Sequence, residues 1–183
     1  MSPTPVRILG IDPGLRHTGW GVVDVLGNHR TYVASGTVRP DPDLPLSERL
    51  AAIHRGLDAV LDTHGADEAA VEETFVNKDG RSTLKLGQAR GVALLAPALR
   101  GVAVGEYAPA LVKKTVTGVG QGTKHQVGAM VRVLLPRSTP DSEDAADALA
   151  VALCHASHRG ASALTATVGV PSTKRRRRPS PVR

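Results

Sequence analysis

Residues 6–14, VRILGIDPG, constrain the fold more than any other stretch of the chain. Val6, Ile8, Leu9 and Ile11 form a short apolar run that reads as a buried strand. The run ends on Asp12, and Pro13-Gly14 follow as a tight turn. One carboxylate is thus placed at the carboxyl end of a core strand, where α/β sheets commonly open into a ligand site. Burying a carboxylate is costly unless a cation meets it there. Gly14, lacking a Cβ, would let a phosphate or metal approach the backbone. Taken alone, the element is a capped turn, a phosphate loop or a metal site, and the rest of the chain must choose among them.

Downstream, Thr18–Leu26 and His29–Arg39 are rich in β-branched and aromatic residues, with a Gly27-Asn28 hairpin signal between them. These three strands predict an antiparallel meander. After a Pro/Asp connection, Ser47 reads as the N-cap of a helix to about His64, with Leu46, Leu50, Ile53, Leu57, Val60 and Leu61 on one face. Residues 68–76 form a fourth strand candidate and residues 82–95 a second helix. Val102–Tyr107 is a fifth strand, running through Pro109 into a short helix. Thr123 with Gln126 makes a capping-box pattern for a helix to about Leu135. The last helix spans about Ser142 to His158. Three strands followed by helix crossovers predict an α/β fold, a five-stranded mixed sheet with helices on both faces.

Charge is unevenly spread along the 183 residues, whose net value is +6. Residues 1–76 carry −5, residues 77–137 carry +8, residues 138–158 carry −4, and residues 159–183 hold seven basic groups and no acid. A basic middle between acidic parts suits a protein that holds both an anionic ligand and a cationic metal. The expected organisation is a folded domain over residues 1–158 and a basic, disordered tail over 159–183. Cys154 is the single cysteine, in an apolar helical pattern, and reads as a small core residue. No leader and no membrane span is evident, so a cytoplasmic protein is expected.

Four acids stand out by position: Asp12, Glu72, Asp144 and Asp147. Asp144 and Asp147 are three apart on a helix and face one way. Ala145, Ala146 and Ala148 around them would let that helix lie close to a sheet. Strand alternation turns one of Glu72 and Glu73 inward and leaves open which. Clustered carboxylates raise one another's pKa unless cations neutralise them. Mg²⁺ takes oxygen ligands and keeps several waters, so a few carboxylates plus a substrate phosphate suit it. Two such ions about 4 Å apart can activate water on one side of a phosphodiester and stabilise the leaving oxygen on the other. A Walker loop, a nucleophile elbow and zinc-type Cys/His spacing are absent from the sequence. An actin-like ATPase would want a second Asp-Gly turn after a buried strand, and Asp79-Gly80 lies in a polar loop.

The motifs ILGIDPGLRHTGWGVV, VEETFVNKDGRSTLKLGQARG, EYAPALVKKTVTGVGQGTKHQV and DAADALAVALCH, in this order, resemble the RuvC family of Holliday-junction resolvases. The resemblance implies an RNase H-like fold and a homodimer that nicks opposed strands of a four-way DNA junction, leaving 5′-phosphate and 3′-hydroxyl ends. It implies two Mg²⁺ per subunit, with Mn²⁺ able to substitute, held by Asp12, Glu72, Asp144 and Asp147. Glu72 is favoured over Glu73 because the family's acid stands three residues before the phenylalanine, here Phe75. Lys124 is implied as a catalytic lysine. Phe75, Lys78, Arg81, Arg90, Lys113, Lys114 and Lys124 are implied as DNA contacts, with Phe75 wedging near the junction centre and Lys85 a further candidate along the path of the strands. The helix around Leu84–Leu95 corresponds to the dimer contact, where Gly87, Ala89 and Gly91 would permit close approach. A RuvAB-type branch-migration complex is a further expected partner, and the Lys174–Arg178 run would add non-specific DNA affinity.

Overall fold

A computed structural model describes residues 3–73 and 79–165 of the chain, with side chains described through Arg159. Strands β1 (Val6–Asp12), β2 (Thr18–Leu26) and β3 (His29–Val38) form the expected antiparallel meander. There follow α1 (Leu46–His64), β4 (Glu68–Glu72), α2 (Gly80–Leu99) and β5 (Ala103–Tyr107). Helices α3 (Pro109–Thr117), α4 (Lys124–Leu134) and α5 (Glu143–Thr165) complete the described order. β4 pairs parallel with β1, and β5 parallel with β4, so the sheet runs β3-β2-β1-β4-β5.

Strand alternation divides the core in two. Leu9, Ile11, Val22, Ala69 and Val71 pack against α1 and α2 through Ile53, Leu57, Val60, Ala89 and Ala93. Ile8, Val23, Val25 and Ala70 pack on the other face against Val112, Val127, Val131, Leu149 and Leu153 of α3, α4 and α5. Each large aliphatic side chain buried in these layers contributes about 1.5–3 kcal/mol relative to exposure.

The α5 face owes its geometry to glycines on β1 and β2. A Cβ on Gly10 would stand 2.2 Å from the Ala148 carbonyl oxygen, and one on Gly19 would stand 2.0 Å from that of Asp144. Gly10 pairs with Gly21, and Asp12 pairs with Gly19. No side chain therefore separates α5 from the sheet beside Asp12, and fully buried Ala145 and Ala148 complete the close approach. The amino-terminal turns of α5 are thereby drawn down over the end of β1.

Several boundaries differ from the sequence expectation. Pro45, not Ser47, caps α1: its carbonyl accepts from the Glu48 and Arg49 N–H groups, and no side chain caps the helix. α2 begins at Gly80 because the Asp79 carboxylate accepts from the Arg81 and Ser82 N–H groups. It also runs through Pro97, past Leu95, to Leu99. The Thr123 capping box forms as expected, with the Thr123 N–H donating to Gln126 Oε1 at 2.8 Å. On α4 the inward position is Leu135, while Leu134 is 39% exposed. Cys154 is buried in the α5 core. α5 runs beyond His158 to Thr165, and Arg159, placed in the tail by composition, is ion-paired with Glu68 of β4. The outer part of the fourth-strand candidate and the Lys174–Arg178 run lie outside the described residues.

Candidate active site

Ile11 of β1 pairs with Val71 of β4, so the next residue on each parallel strand is a carboxylate, Asp12 and Glu72. Ala70 belongs to the α5 core and Val71 to the opposite one. Alternation therefore puts Glu72 on the α5 face with Asp12. Glu73 follows the last residue of β4, its N–H still donating to the Tyr107 carbonyl of β5 at 2.9 Å. Asp12, Glu72 and Asp147 line one cavity of about 170 Å³ together with Lys113, Lys124, Pro109 and Val112. Lys124, the first residue of α4, stands with its Nζ 3.1 Å from Asp147 Oδ2.

Asp144, one turn earlier on α5, faces a neighbouring cleft beside the β1–β2 turn, its Oδ2 3.5 Å from His17 Nδ1. That turn also explains Gly14. A Cβ there would fall 2.2 Å from the His17 carbonyl oxygen, so the glycine is required by the turn itself and not by an approaching ligand. Thr18, fully buried, closes the same turn by donating its hydroxyl to the Gly14 carbonyl at 2.7 Å.

The electrostatics of the cavity are those of like charges brought together away from water. Burial pushes Asp12 up to about 8, and the charges of Glu72, Asp147 and Asp144 push the same way against Lys124. Glu72 is pushed up to about 7 by burial and then by Asp147, with Lys113 and Lys124 opposing. Burial also raises Asp147 despite its contact with Lys124, and the Asp147 charge raises Lys124 in turn. Such a cluster favours protons or cations.

Among the described residues no three acidic, histidine or cysteine side chains are close enough to make a ready-made metal cage. The donors that share the cavity are carboxylates with Lys113 and Lys124 beside them. This open, all-oxygen arrangement fits Mg²⁺, which prefers oxygen ligands and relies on retained waters and substrate phosphate for the rest of its shell.

The other expected residues are placed as follows. Lys113 lies in the cavity, Lys114 is exposed on α3, and Arg81 is exposed on the first turn of α2. Arg90 is ion-paired with Glu106 of β5, so its charge is already engaged. Phe75 and Lys78 lie outside the described residues. Sequence reasoning passed over Arg16, His17 and Arg49, which line the cleft with Asp144. Arg16 and His17 follow the Asp-Pro-Gly turn directly and could have been flagged there. Arg49 is brought in only by the packing of α1.

The model of the crossover junction endodeoxyribonuclease RuvC family matches residues 8–155. A crossover junction endodeoxyribonuclease RuvC of Bradyrhizobium diazoefficiens is 63% identical over 160 residues, 87% of this chain and 91% of that protein. Among solved structures, T. thermophilus RuvC in complex with a Holliday junction substrate is 36% identical, with a TM-score of 0.77 over 85% of this chain and 96% of that one. The yeast mitochondrial Holliday junction resolvase, 13% identical with a TM-score of 0.60 over 90% of this chain and 89% of that one, shares the fold. With its five-stranded mixed sheet of RNase H-like type, the chain belongs to the RuvC family of crossover junction endodeoxyribonucleases.

Proposed function

We propose that this chain is a metal-dependent endonuclease that resolves four-way DNA junctions by paired symmetric nicks in recombination and repair. The observation that carries the reading is the convergence of half-buried Asp12, Glu72 and Asp147 on one cavity with Lys113 and Lys124, in a chain of the RuvC family. Members of that family are metal-dependent nucleases. Asp12, Glu72, Asp144 and Asp147 would hold two Mg²⁺ per subunit, with Mn²⁺ able to substitute. The bound ions would supply activation of a water and stabilisation of charge on the leaving oxygen, and the expected ends are 5′-phosphate and 3′-hydroxyl.

The chain's own residues prepare that chemistry. Asp12, flanked by carboxylates on β4 and α5, concentrates negative charge where the cation is needed. Lys124, held at Asp147, keeps its proton and orients both that carboxylate and the incoming phosphate. Lys113, in the same cavity, offsets the charge of Glu72. Lys113, Lys114, Lys124 and Arg81 are assigned to backbone phosphates, each adding to affinity and salt dependence. Phe75, as a wedge at an opened base step, and Lys78 keep their assignments from the family resemblance.

The homodimer would form through α2, where Leu84, Leu95 and Leu99 are exposed and Gly87 and Gly91 face open space. Ala89 is excluded from that contact because it is buried against α1. Two such sites related by a twofold would match the pseudo-twofold of the junction. A RuvAB-type complex is the expected partner of the dimer. No described helix is long and apolar enough to cross a membrane, and the protein is assigned to the cytoplasm. The tail would add non-specific DNA affinity.

The test is nicking of a synthetic four-way junction against a linear duplex of the same sequence, with and without Mg²⁺. Paired nicks in the junction alone, dependent on metal and absent from Asp144→Asn and Asp147→Asn proteins that still bind, are expected. Equal cutting of the duplex, or undiminished nicking by both variants, would overturn the reading.

A further inference from the structure

The carboxylate cavity is flanked by a second concave surface. A cleft of about 520 Å³ is lined by Gly14, Arg16 and His17 from the β1–β2 turn, Arg49 from α1, Ser82 and Lys85 from α2, and Asp144 from α5. Three cationic side chains from separate elements thus converge beside the cluster. Neither Arg16 nor Lys85 is in an ion pair with any described residue. Arg49 donates from one terminal nitrogen to the Leu15 carbonyl at 3.0 Å, which fixes its head against the turn. Its Nε is buried and has no hydrogen-bond partner. That nitrogen is closed off from the cleft, so a ligand there would meet the terminal nitrogens, whose planar fork suits a phosphate oxygen. Among the described residues that line the cleft, Asp144 is the only acid, itself a member of the carboxylate set.

The cleft is joined to the catalytic cavity through the first turns of α5. Asp144 faces the cleft and Asp147 faces the cavity. A strand lying across the cluster with one phosphate near Lys113 and Lys124 would carry a neighbouring phosphate toward Arg16, Arg49 and Lys85. We propose that this cleft is a subsite for a backbone phosphate of the cleaved strand next to the scissile one, held by Arg16, Arg49 and Lys85. Resting on the junction-nuclease reading, it assigns the cleft the task of fixing strand register on the metal cluster. Phosphate contacts position a strand without reading its bases.

The experiment combines Arg16→Gln and Lys85→Gln, both exposed residues, with junctions carrying a single neutral methylphosphonate at each linkage around the cut. Binding is measured in the Asp147→Asn protein so that the junction stays whole. In that parent, one linkage flanking the cut should weaken binding about tenfold when neutral. With Arg16→Gln and Lys85→Gln added, the normal junction should already bind about tenfold more weakly, and that linkage should lose its effect. The slope of log affinity against log salt should fall by about one, for the single phosphate the cleft holds. Unchanged affinity and salt slope in the double substitution, or the same linkage sensitivity as the parent, would overturn the subsite. Junction nicking by the unsubstituted chain separates the two levels. Intact nicking with no linkage coupled to Arg16 and Lys85 removes the subsite alone, and absence of nicking removes the function on which it rests.

Discussion

Glu68 and Glu72 stand at opposite ends of β4, on the same face of the sheet, in opposite electrostatic surroundings. Glu68 meets Arg159 through both carboxylate oxygens and His155 Nε2 at 2.8 Å. Because a carboxylate only accepts, His155 donates from Nε2, leaving Nδ1 to accept from the Tyr107 hydroxyl at 2.9 Å. Burial keeps the imidazole neutral, lowering its pKa against the pull of Glu68. The Arg159 hydrogen bonds hold Glu68 below the usual carboxylate range. Glu72, by contrast, is raised to about 7 beside an Asp12 raised to about 8. The Glu68 end has as many donors as it needs and ties β4 and β5 to α5. The Glu72 end is short of positive charge. Carboxylates satisfied by protein partners hold a fold together, whereas buried carboxylates left facing one another are prepared for something that binds.

The strongest way to break this comparison is to substitute both ends. Asp12→Asn should cut nicking by at least about a hundredfold, because it removes a ligand and not a support. Glu68→Gln should leave the nicking rate of the folded protein within about twofold. Its cost should appear in the thermal unfolding of the protein, at about 1–3 kcal/mol, because the Arg159 and His155 donors lose their charged acceptor. Equal loss of nicking in both variants would erase the distinction. A smaller effect, about tenfold on nicking with little change in junction binding, is expected for Lys124→Gln, with partial recovery in Lys124→Arg. The salt bridge to Asp147 is more than half exposed on the lysine side, so its contribution to stability is small.

The smallest effect is a slope in stability with pH, and its sign differs between the two ends. Asp12 and Glu72 hold protons in the folded, metal-free chain that the unfolded chain has already released. Their effect on stability is therefore unfavourable as pH rises from the ordinary carboxylate range near 4 to about 8. Glu68, with its lowered pKa, stabilises above its unfolded value and loses that stabilisation as pH falls. Thermal melts in chelator should thus show a decline toward alkaline pH that Asp12→Asn flattens. Glu68→Gln should instead flatten the decline on the acid side.

Much of this was legible in the chain itself. The apolar runs marked the five strands, and the Asp-Pro-Gly turn marked the strand end at Asp12. The spacing of Asp144 and Asp147 placed both on the first turns of α5, though not in which recess each would lie, and Thr123 with Gln126 announced the start of α4. What was not legible depended on packing. Glycine weakens a strand in isolation, yet Gly10, Gly19 and Gly21 are what lets α5 descend onto the sheet. The run of α2 through Pro97, which is buried, contradicts local propensity. Arg159 looked like the first residue of a polar tail until Glu68, distant in sequence, supplied its partner. Arg49 gave no sign of a role because only the fold brings α1 beside the β1–β2 turn.

The central claim is that the Glu72 end of β4 takes divalent metal where the Glu68 end is already complete. It is tested most directly by calorimetric titration of Mn²⁺ into the protein near neutral pH, in two buffers of different ionisation enthalpy. The account predicts that binding releases protons held by Asp12 and Glu72. Both binding and release should disappear in Asp12→Asn and persist in Glu68→Gln. Binding that survives Asp12→Asn unchanged, or that is lost only in Glu68→Gln, would contradict it.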